Sequence, residues 1–281
     1  MTTTKLDLNQ CNQLISKFEQ VIKTPIKTPS SVYYTGVDLG TACIVLAVLD
    51  ENYEPVAGSY RYANVVKDGM VVDYIGAIKI VRELKAELEE ILETELVYAA
   101  AAIPPGTNEL DSGAIRNVVE GAGFELTALL DEPTAANQVL NIENGAVVDI
   151  GGGTTGISIL NQGEVVKVVD EATGGTHFSL VVAGSYKMSF DEAELYKRDT
   201  SKHKELIVVL KPVVEKIASI ILRQINGYKV EGIYLVGGTA CLGGIENIIE
   251  KNTHIPTFKP INPMFATPLG IAKSCTDKIM D

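Results

Sequence analysis

The stretch Val147-Val148-Asp149-Ile150-Gly151-Gly152-Gly153-Thr154-Thr155-Gly156-Ile157-Ser158-Ile159-Leu160 decides the reading of the fold. It runs from β-forming apolar residues into a carboxylate, through three glycines and two threonines, and back into a strand. A Gly-rich turn by itself is weak evidence, because ordinary hairpins use glycine often. Repetition gives it weight. Val37-Asp38-Leu39-Gly40 precedes Val148-Asp149-Ile150-Gly151 by 111 residues, and each copy continues into threonine, a strand, a polar turn and another strand. In both copies a strand ends on an aspartate and small residues form the turn, so backbone N–H groups can approach an anion with no Cβ in the way. Each turn can cradle a phosphate. Two flanking carboxylates suit a hydrated Mg²⁺, which takes octahedral oxygen ligands and keeps several waters.

Outward from this repeat, residues 33–38, 43–50 and 55–60 read as consecutive strands with Gly or Asn turns between them. A long helix over 75–96, a strand over 97–103, a helix over 108–121, a strand over 124–130 and a helix over 133–140 complete the first unit. The second unit continues with strands over 157–160 and 164–170, and with helices over 178–186, 189–198 and 204–227. A strand over 232–236 and helices over 243–251 and 268–277 follow. Two β-β-β-α-β-α units facing each other predict a cleft between them, the usual ligand site of such folds. The first thirty residues differ: Leu6, Leu8, Cys11, Leu14, Ile15, Phe18, Val21 and Ile22 recur at helical spacing ahead of the Pro-containing stretch Lys23 to Ser30. Two readings stand open for this helix, a detachable docking or targeting element and a helix packed on the body of the protein.

The 281 residues suggest roughly two domains, with 46% apolar and 21% charged residues, an ordinary globular composition. A net charge of −12, with no window dominated by Lys or Arg, argues against a nucleic-acid or anionic-membrane surface. The longest unbroken apolar run, Leu96 to Ile103, falls far short of the ~20 residues that span a bilayer. No signal-peptide pattern opens the chain, and a cytoplasmic protein is expected. Cys11, Cys43, Cys241 and Cys275 are scattered without CxxC spacing, so a zinc site is not expected.

Four motifs carry a resemblance. Residues 36–41 (GVDLGT), 130–136 (LDEPTAA), 147–160 and 233–240 (IYLVGGTA) resemble the phosphate-1, connect-1, phosphate-2 and adenosine motifs of the actin, seventy-kilodalton heat-shock chaperone and sugar-kinase ATPase superfamily. They occur in that family's order, and the likeness covers nearly everything after residue 31. Residues 65–74 (VVKDGMVVDY) are also similar to a segment of bacterial actin-like cytoskeletal proteins. More narrowly, residues 65–85, 103–109, 170–180 and 192–198 resemble a family of ethanolamine-utilization accessory proteins. That family implies a chaperone-like or reactivation role linked to ethanolamine ammonia-lyase and its bacterial microcompartment, with the lyase or shell proteins as partners.

The resemblance implies a duplicated actin-like ATPase fold with a nucleotide cleft. Its parts would be an N-terminal helix and linker at 1–30, a first subdomain at 31–141 plus 265–281, and a second at 142–264. It further implies ATP or ADP with Mg²⁺ as cofactors. Asp38 and Asp149 would hold the Mg²⁺ through water. Gly40, Thr41, Gly151, Gly152, Gly153, Thr154 and Thr155 would contact the phosphates. Glu132 matches the acid that orients the attacking water; alternatively it is a helix N-terminal carboxylate favoured by the dipole. Glu194, Lys197 and Arg198 share one helical face at i, i+3 and i+4 and would grip ribose and stack on adenine, or else form a solvated face with one ion pair. Gly174, Gly175, Gly237, Gly238 and Thr239 would complete the nucleotide collar. His177 is expected near the nucleotide, where it could tune the cleft's charge, while His203 and His254 are expected at the surface.

The chain also departs from the pattern. It runs almost directly from the third strand into Lys67-Asp68-Gly69, and from Arg198 into the helix at Lys204, where the family's upper subdomains normally stand. The chaperones' catalytic lysine has no assignable counterpart; Lys67 could substitute for it or lie in a plain turn. Gly156 occupies a usually acidic position. A reduced fold that binds nucleotide and is at most a weak ATPase is therefore expected. The alternative is a nucleotide-independent scaffold that retains the fold.

Overall fold

In the computed structural model, which describes residues 8–278 apart from Thr28 and Asp68, the repeat becomes two five-stranded mixed sheets of the same topology. Helix α1 (Asn9–Lys23) precedes them. The first unit contains β1 (Tyr34–Leu39), β2 (Cys43–Leu49), β3 (Pro55–Tyr62), a small hairpin of β4 (Val66–Lys67) and β5 (Met70–Val71), α2 (Tyr74–Leu92), β6 (Tyr98–Ile103), α3 (Glu109–Gly121), β7 (Glu125–Asp131) and α4 (Glu132–Leu140). The second contains β8 (Gly145–Ile150), β9 (Thr155–Asn161), β10 (Glu164–Glu171), α5 (Gly175–Tyr186), α6 (Phe190–Arg198), α7 (His203–Ile225), β11 (Ile233–Val236), α8 (Ile245–Thr253), β12 (Thr257–Phe258) and α9 (Ala266–Ser274).

The sheet orders are β3-β2-β1-β6-β7 and β10-β9-β8-β11-β12, so each strand of one has a counterpart in the other. In both, an antiparallel meander of three strands is extended by two parallel ones. Central strands read as unbroken apolar runs because both faces are covered: every residue of β8 is buried. The helices show the complementary stripe. On α7, Leu206, Leu210, Val214, Ile217, Ile221 and Ile225 are buried at helical spacing. Helix α2 starts where Asp73 accepts a hydrogen bond from the Gly76 N–H at 2.9 Å, and it stops at Leu92, short of the expected residue 96, because Glu93 turns left-handed at φ 55°.

The halves interlock through their last helices. Helix α4 leaves β7 and packs on β8 and β9 of the other sheet, while α9 leaves the second half and packs on β1, β2 and β6. The two helices meet backbone to backbone: a Cβ on Gly270 of α9 would lie 1.8 Å from the Ala135 carbonyl oxygen of α4. Gly36 of β1 is equally constrained, with the Ala272 N and the Pro268 O each 2.5 Å from where its Cβ would be. The final helix, Ala266–Ser274, thus lies on the first half's sheet.

Helix α1 is packed on the body of the protein. Cys11, Ile15, Phe18 and Val21 are buried in the core, and Gly58 of β3 makes room for the Phe18 ring, which would lie 2.4 Å from a Cβ there. In the two intervals where upper subdomains are expected to be missing, the described residues form the β4–β5 hairpin after β3 and a short 3-10 turn at Thr200–Lys202 after α6. No helix among the described residues is long and apolar enough to cross a membrane.

The contact at Gly270 generates a paired test. Gly270→Val should cost about 3 kcal/mol or more by forcing α4 and α9 apart. Gly113→Ala on α3, where a Cβ meets nothing within 4 Å, should stabilise by about 0.5 kcal/mol. Chemical denaturation of the three proteins checks both signs, and equal midpoints would refute the interlock.

Candidate functional site

The two repeated turns face each other. In the first, a Cβ on Gly40 would lie 2.7 Å from the Cys43 carbonyl oxygen, so only glycine closes the hairpin between β1 and β2. The second, Gly151–Thr154, is closed by the Gly151 N–H donating to the Thr154 carbonyl at 3.0 Å. Its carbonyls are drawn to the second half: that of Gly151 accepts from the Gly175 N–H at 2.9 Å and the Thr239 hydroxyl at 2.7 Å. The Gly152 carbonyl accepts from the Thr176 N–H at 2.7 Å. In a trans peptide the next N–H points opposite to the carbonyl, so the N–H groups of Gly152 and Gly153 face away from that collar. The two turns abut; a Cβ on Gly152 would sit 3.1 Å from that of Ala42.

Three carboxylates stand on the walls of the cavity between the turns: Asp38 near the end of β1, Asp149 near the end of β8, and Glu132 as the first residue of α4. Burial pushes Asp38 up to about 7, and the charge of Asp149 adds to the rise. Asp149 is pushed up to about 6 by burial, against the hydrogen bond its Oδ2 accepts from the Thr267 hydroxyl at 2.6 Å. Burial and then the charges of Asp149, Asp38 and Asp170 raise Glu132 well above its ordinary value. Such a cluster favours any cation that enters it. Among the described residues no group of three or more His, Cys, Asp or Glu could hold an ion directly.

The inner cavity has a volume of about 140 Å³. At its outer end α6 presents Glu194, Lys197 and Arg198 as one network. The Lys197 ammonium donates to Glu194 at 2.7 Å, the Ser179 hydroxyl at 2.8 Å and the Gly175 carbonyl at 3.0 Å. Burial alone would raise Glu194, but Lys197, Ser179 and Arg198 outweigh it and hold its pKa down. Burial likewise lowers Lys197, opposed by Glu194. The Arg198 guanidinium lies over the Tyr62 ring, 3.6 Å from its centroid, and this stack joins the two halves across the cleft.

Most sequence-selected residues line this cavity: Gly40 and Thr41 on one side; Gly151 to Thr154 opposite; Glu194, Lys197, Arg198, Gly237, Gly238 and Thr239 at the outer end. Thr155, Gly174 and Gly175 stand behind the wall. Thr155 is fully buried and donates its hydroxyl to the Thr173 carbonyl at 2.5 Å. Gly174 is glycine because a Cβ would lie 2.7 Å from the Gly153 carbonyl carbon, and the same crowding at Gly175 comes from Thr239 at 2.5 Å. These two glycines let the protein pack on its own turn, which differs from the close approach to a ligand expected of them. Gly237, at φ +89°, similarly makes room for Asp149.

His177 is not on the cavity wall; its ring faces the Gly174 N–H, which donates to Nδ1 at 3.4 Å. His203, expected at the surface, is half-buried, taking the Gly243 N–H at 3.0 Å and lying 3.2 Å from the Lys197 carbonyl oxygen. Lys67 is exposed on β4 and does not line the cavity. Sequence reasoning missed Tyr62, Thr267 and Asp170. Asp170 pairs across the β9–β10 ladder with Gly156, and directly opposed residues share a face. It thus brings a carboxylate beside the position where Gly156 lacks one.

Comparison with known proteins bears on the fold and the family. The family described as Type IV pilus assembly protein PilM matches residues 127–269, and the MreB/Mbl protein family matches residues 56–191. The crystal structure of MreB 5 of Spiroplasma citri bound to AMPPNP superposes with a TM-score of 0.70 at 19% identity, covering 86% of this chain and 95% of that one. The fold is that of the actin-like ATPases. Ethanolamine utilization protein EutJ of Salmonella typhimurium is 43% identical over 253 residues, which is 90% of this chain and 88% of that protein. The crystal structure of EutJ from Carboxydothermus hydrogenoformans gives a TM-score of 0.89 at 49% identity, covering 94% of this chain and 98% of that one. The chain belongs to the EutJ family of ethanolamine utilization proteins.

The raised carboxyls carry a pH signature. Asp38 and Asp149 keep protons in the native state that the unfolded chain releases near its ordinary value of 3.8, so their contribution to stability falls as pH rises from about 4 to about 7. Asp38→Asn removes the largest part of that loss. In chelator, the variant should exceed the parent by on the order of 3 kcal/mol at pH 8 and match it near pH 4. Urea melts at the two pH values test this, and a gap independent of pH would contradict the electrostatic origin.

Proposed function

We propose that the chain binds an adenine nucleotide with Mg²⁺ in the cleft and serves as a chaperone-like accessory protein of ethanolamine utilization. The observation that carries this reading is the pair of abutting turns with Asp38, Asp149 and Glu132 between them. The N–H groups of Gly152 and Gly153 would hold phosphate oxygens. Asp38 and Asp149 would hold the waters of the cation, and Mg²⁺ would supply neutralising charge between phosphate and carboxylate. Thr267 holds the Asp149 carboxylate through its hydroxyl, and Glu132, on the same wall, would orient a water. Glu194, Lys197 and Arg198 would meet the ribose and base.

Turnover is expected to be slow. Lys197 and Arg198 are the cationic side chains on the inner wall, and the Lys197 ammonium already has three acceptors. Little mobile positive charge is left to stabilise phosphoryl transfer. The role that fits is nucleotide-biased association with a protein partner, such as ethanolamine ammonia-lyase or a microcompartment shell protein, in the reactivation or assembly of the lyase.

Calorimetric titration tests the reading. MgATP or MgADP should give saturable heat, Asp149→Ala should abolish it, and hydrolysis should run well below the ~1 s⁻¹ lower end of ordinary enzymes. No heat at millimolar nucleotide would refute the binding. Partner capture unchanged by nucleotide and by Asp149→Ala would favour a nucleotide-independent scaffold instead.

A further inference from the structure

Beyond the Arg198–Tyr62 stack the cleft opens into a second cavity of about 540 Å³. The two cavities share Tyr62, Lys197, Arg198, Gly238, Thr239 and Met264 in their walls, so they are successive chambers of one cleft. A molecule with its anionic end in the inner chamber must place the rest of itself in the outer one. Part of the outer wall comes from outside the repeat: Glu19, Ile22 and Lys23 of α1 line it, together with Tyr60 of β3.

Helix α1 is fastened to both halves. On the first, Phe18 fills the space that Gly58 leaves on β3, and Lys17 pairs with Glu54 at 2.7 Å. On the second, Asn12 Oδ1 accepts the Ile261 N–H at 2.9 Å, and Glu19 Oε1 accepts from the Asn262 amide at 2.7 Å. The Asn262 side-chain Oδ1 accepts in turn from the Met264 N–H at 3.3 Å, and the carbonyl of the next residue, Pro263, accepts from the Gly237 N–H at 3.0 Å. A short route through the Glu19–Asn262 bond, the Asn262–Pro263 backbone and the Pro263–Gly237 bond therefore runs from α1 to the Gly237-Gly238 turn, which lines the chambers' junction and packs against Asp149.

Resting on the nucleotide reading above, we propose that α1 is the outer wall of the nucleotide site, enclosing the base, and that it clasps the two halves so that nucleotide release requires its bonds to Ile261 and Asn262 to part. Widening the cleft separates β3 from the Ile261–Asn262 loop, and α1 is bonded to both. The polar bonds of Asn12 and Glu19 lie on the second-half side, whereas the buried Phe18 and Ile15 hold the helix in the core. The bonds to that loop are the ones that can open while the fold stays intact.

The test uses the full chain and two probes, a fluorescent MgADP analogue that fills both chambers and tripolyphosphate that reaches the inner one alone. Joint replacement Asn12→Ala with Glu19→Ala should speed MgADP dissociation in stopped-flow chase by roughly tenfold, equivalent to about 1.4 kcal/mol. Ile22→Trp, which narrows the outer chamber, should weaken MgADP at least tenfold, and both variants should bind tripolyphosphate within about twofold of the parent. Parent protein that binds neither probe would overturn the nucleotide reading and this proposal with it. Parent protein that binds both, with MgADP rates and affinity unchanged in folded variants, would overturn the role of α1 alone. Equal losses for both probes would also overturn it, since a general brace would act on both chambers alike.

Discussion

The structure depends on a contact that leaves no room for a single carbon atom. Where α9 crosses α4, Gly270 lies against the Ala135 carbonyl, and Gly36 of β1 admits the backbone of α9 at Pro268 and Ala272. Each half sends its last helix onto the other half's sheet, so neither sheet completes its core without the other. The ends of β1 and β8 are thereby brought face to face, and the two aspartate-bearing turns meet. The Thr267 hydroxyl reaches Asp149 from the same helix, so the crossing that joins the halves also sets the carboxylate geometry.

A cost in electrostatics follows from that placement. Burial disfavours the charged form of Asp38, Glu132 and Asp149, and the charge of neighbouring carboxylates adds to the rise. Carboxyls perturbed in this way inside a cleft mark a candidate functional site. The charge at the outer end is arranged the opposite way: Glu194, Lys197 and Arg198 neutralise one another, with Arg198 also on the face of Tyr62. The cleft is thus charge-poor at its mouth and proton-hungry at its floor, an asymmetry suited to a ligand with a cation-dependent anionic end and a flat, weakly polar end.

The motif residues were legible because their chemistry is local. An aspartate at a strand end followed by small residues dictates a turn with available N–H groups wherever it occurs, and its recurrence after 111 residues exposes the duplication. The long helices were legible from their apolar stripes. Their ends were less so, since Glu93 stops α2 by adopting a left-handed conformation that no glycine or proline announces. Gly174 and Gly175 show a subtler gap: glycine marks a close approach, but the approaching groups are the protein's own, the 151–154 turn at Gly174 and the Thr239 hydroxyl at Gly175.

Sequence by itself determined the repeat and the order of the longer strands and helices, because each is encoded by neighbours a few positions apart; most residues of the inner cavity were reached through the motifs' family resemblance. Tertiary structure alone decided which side chains complete the cleft from a distance. Tyr62 meets Arg198, Thr267 meets Asp149 and Asp170 stands opposite Gly156, pairings between segments whose separation carries no periodic signal. It also decided what α1 packs against. An amphipathic helix declares only that one face must be buried, and the partner that buries it here is an edge strand of the first half and a loop of the second, brought side by side by the crossing of α4 and α9.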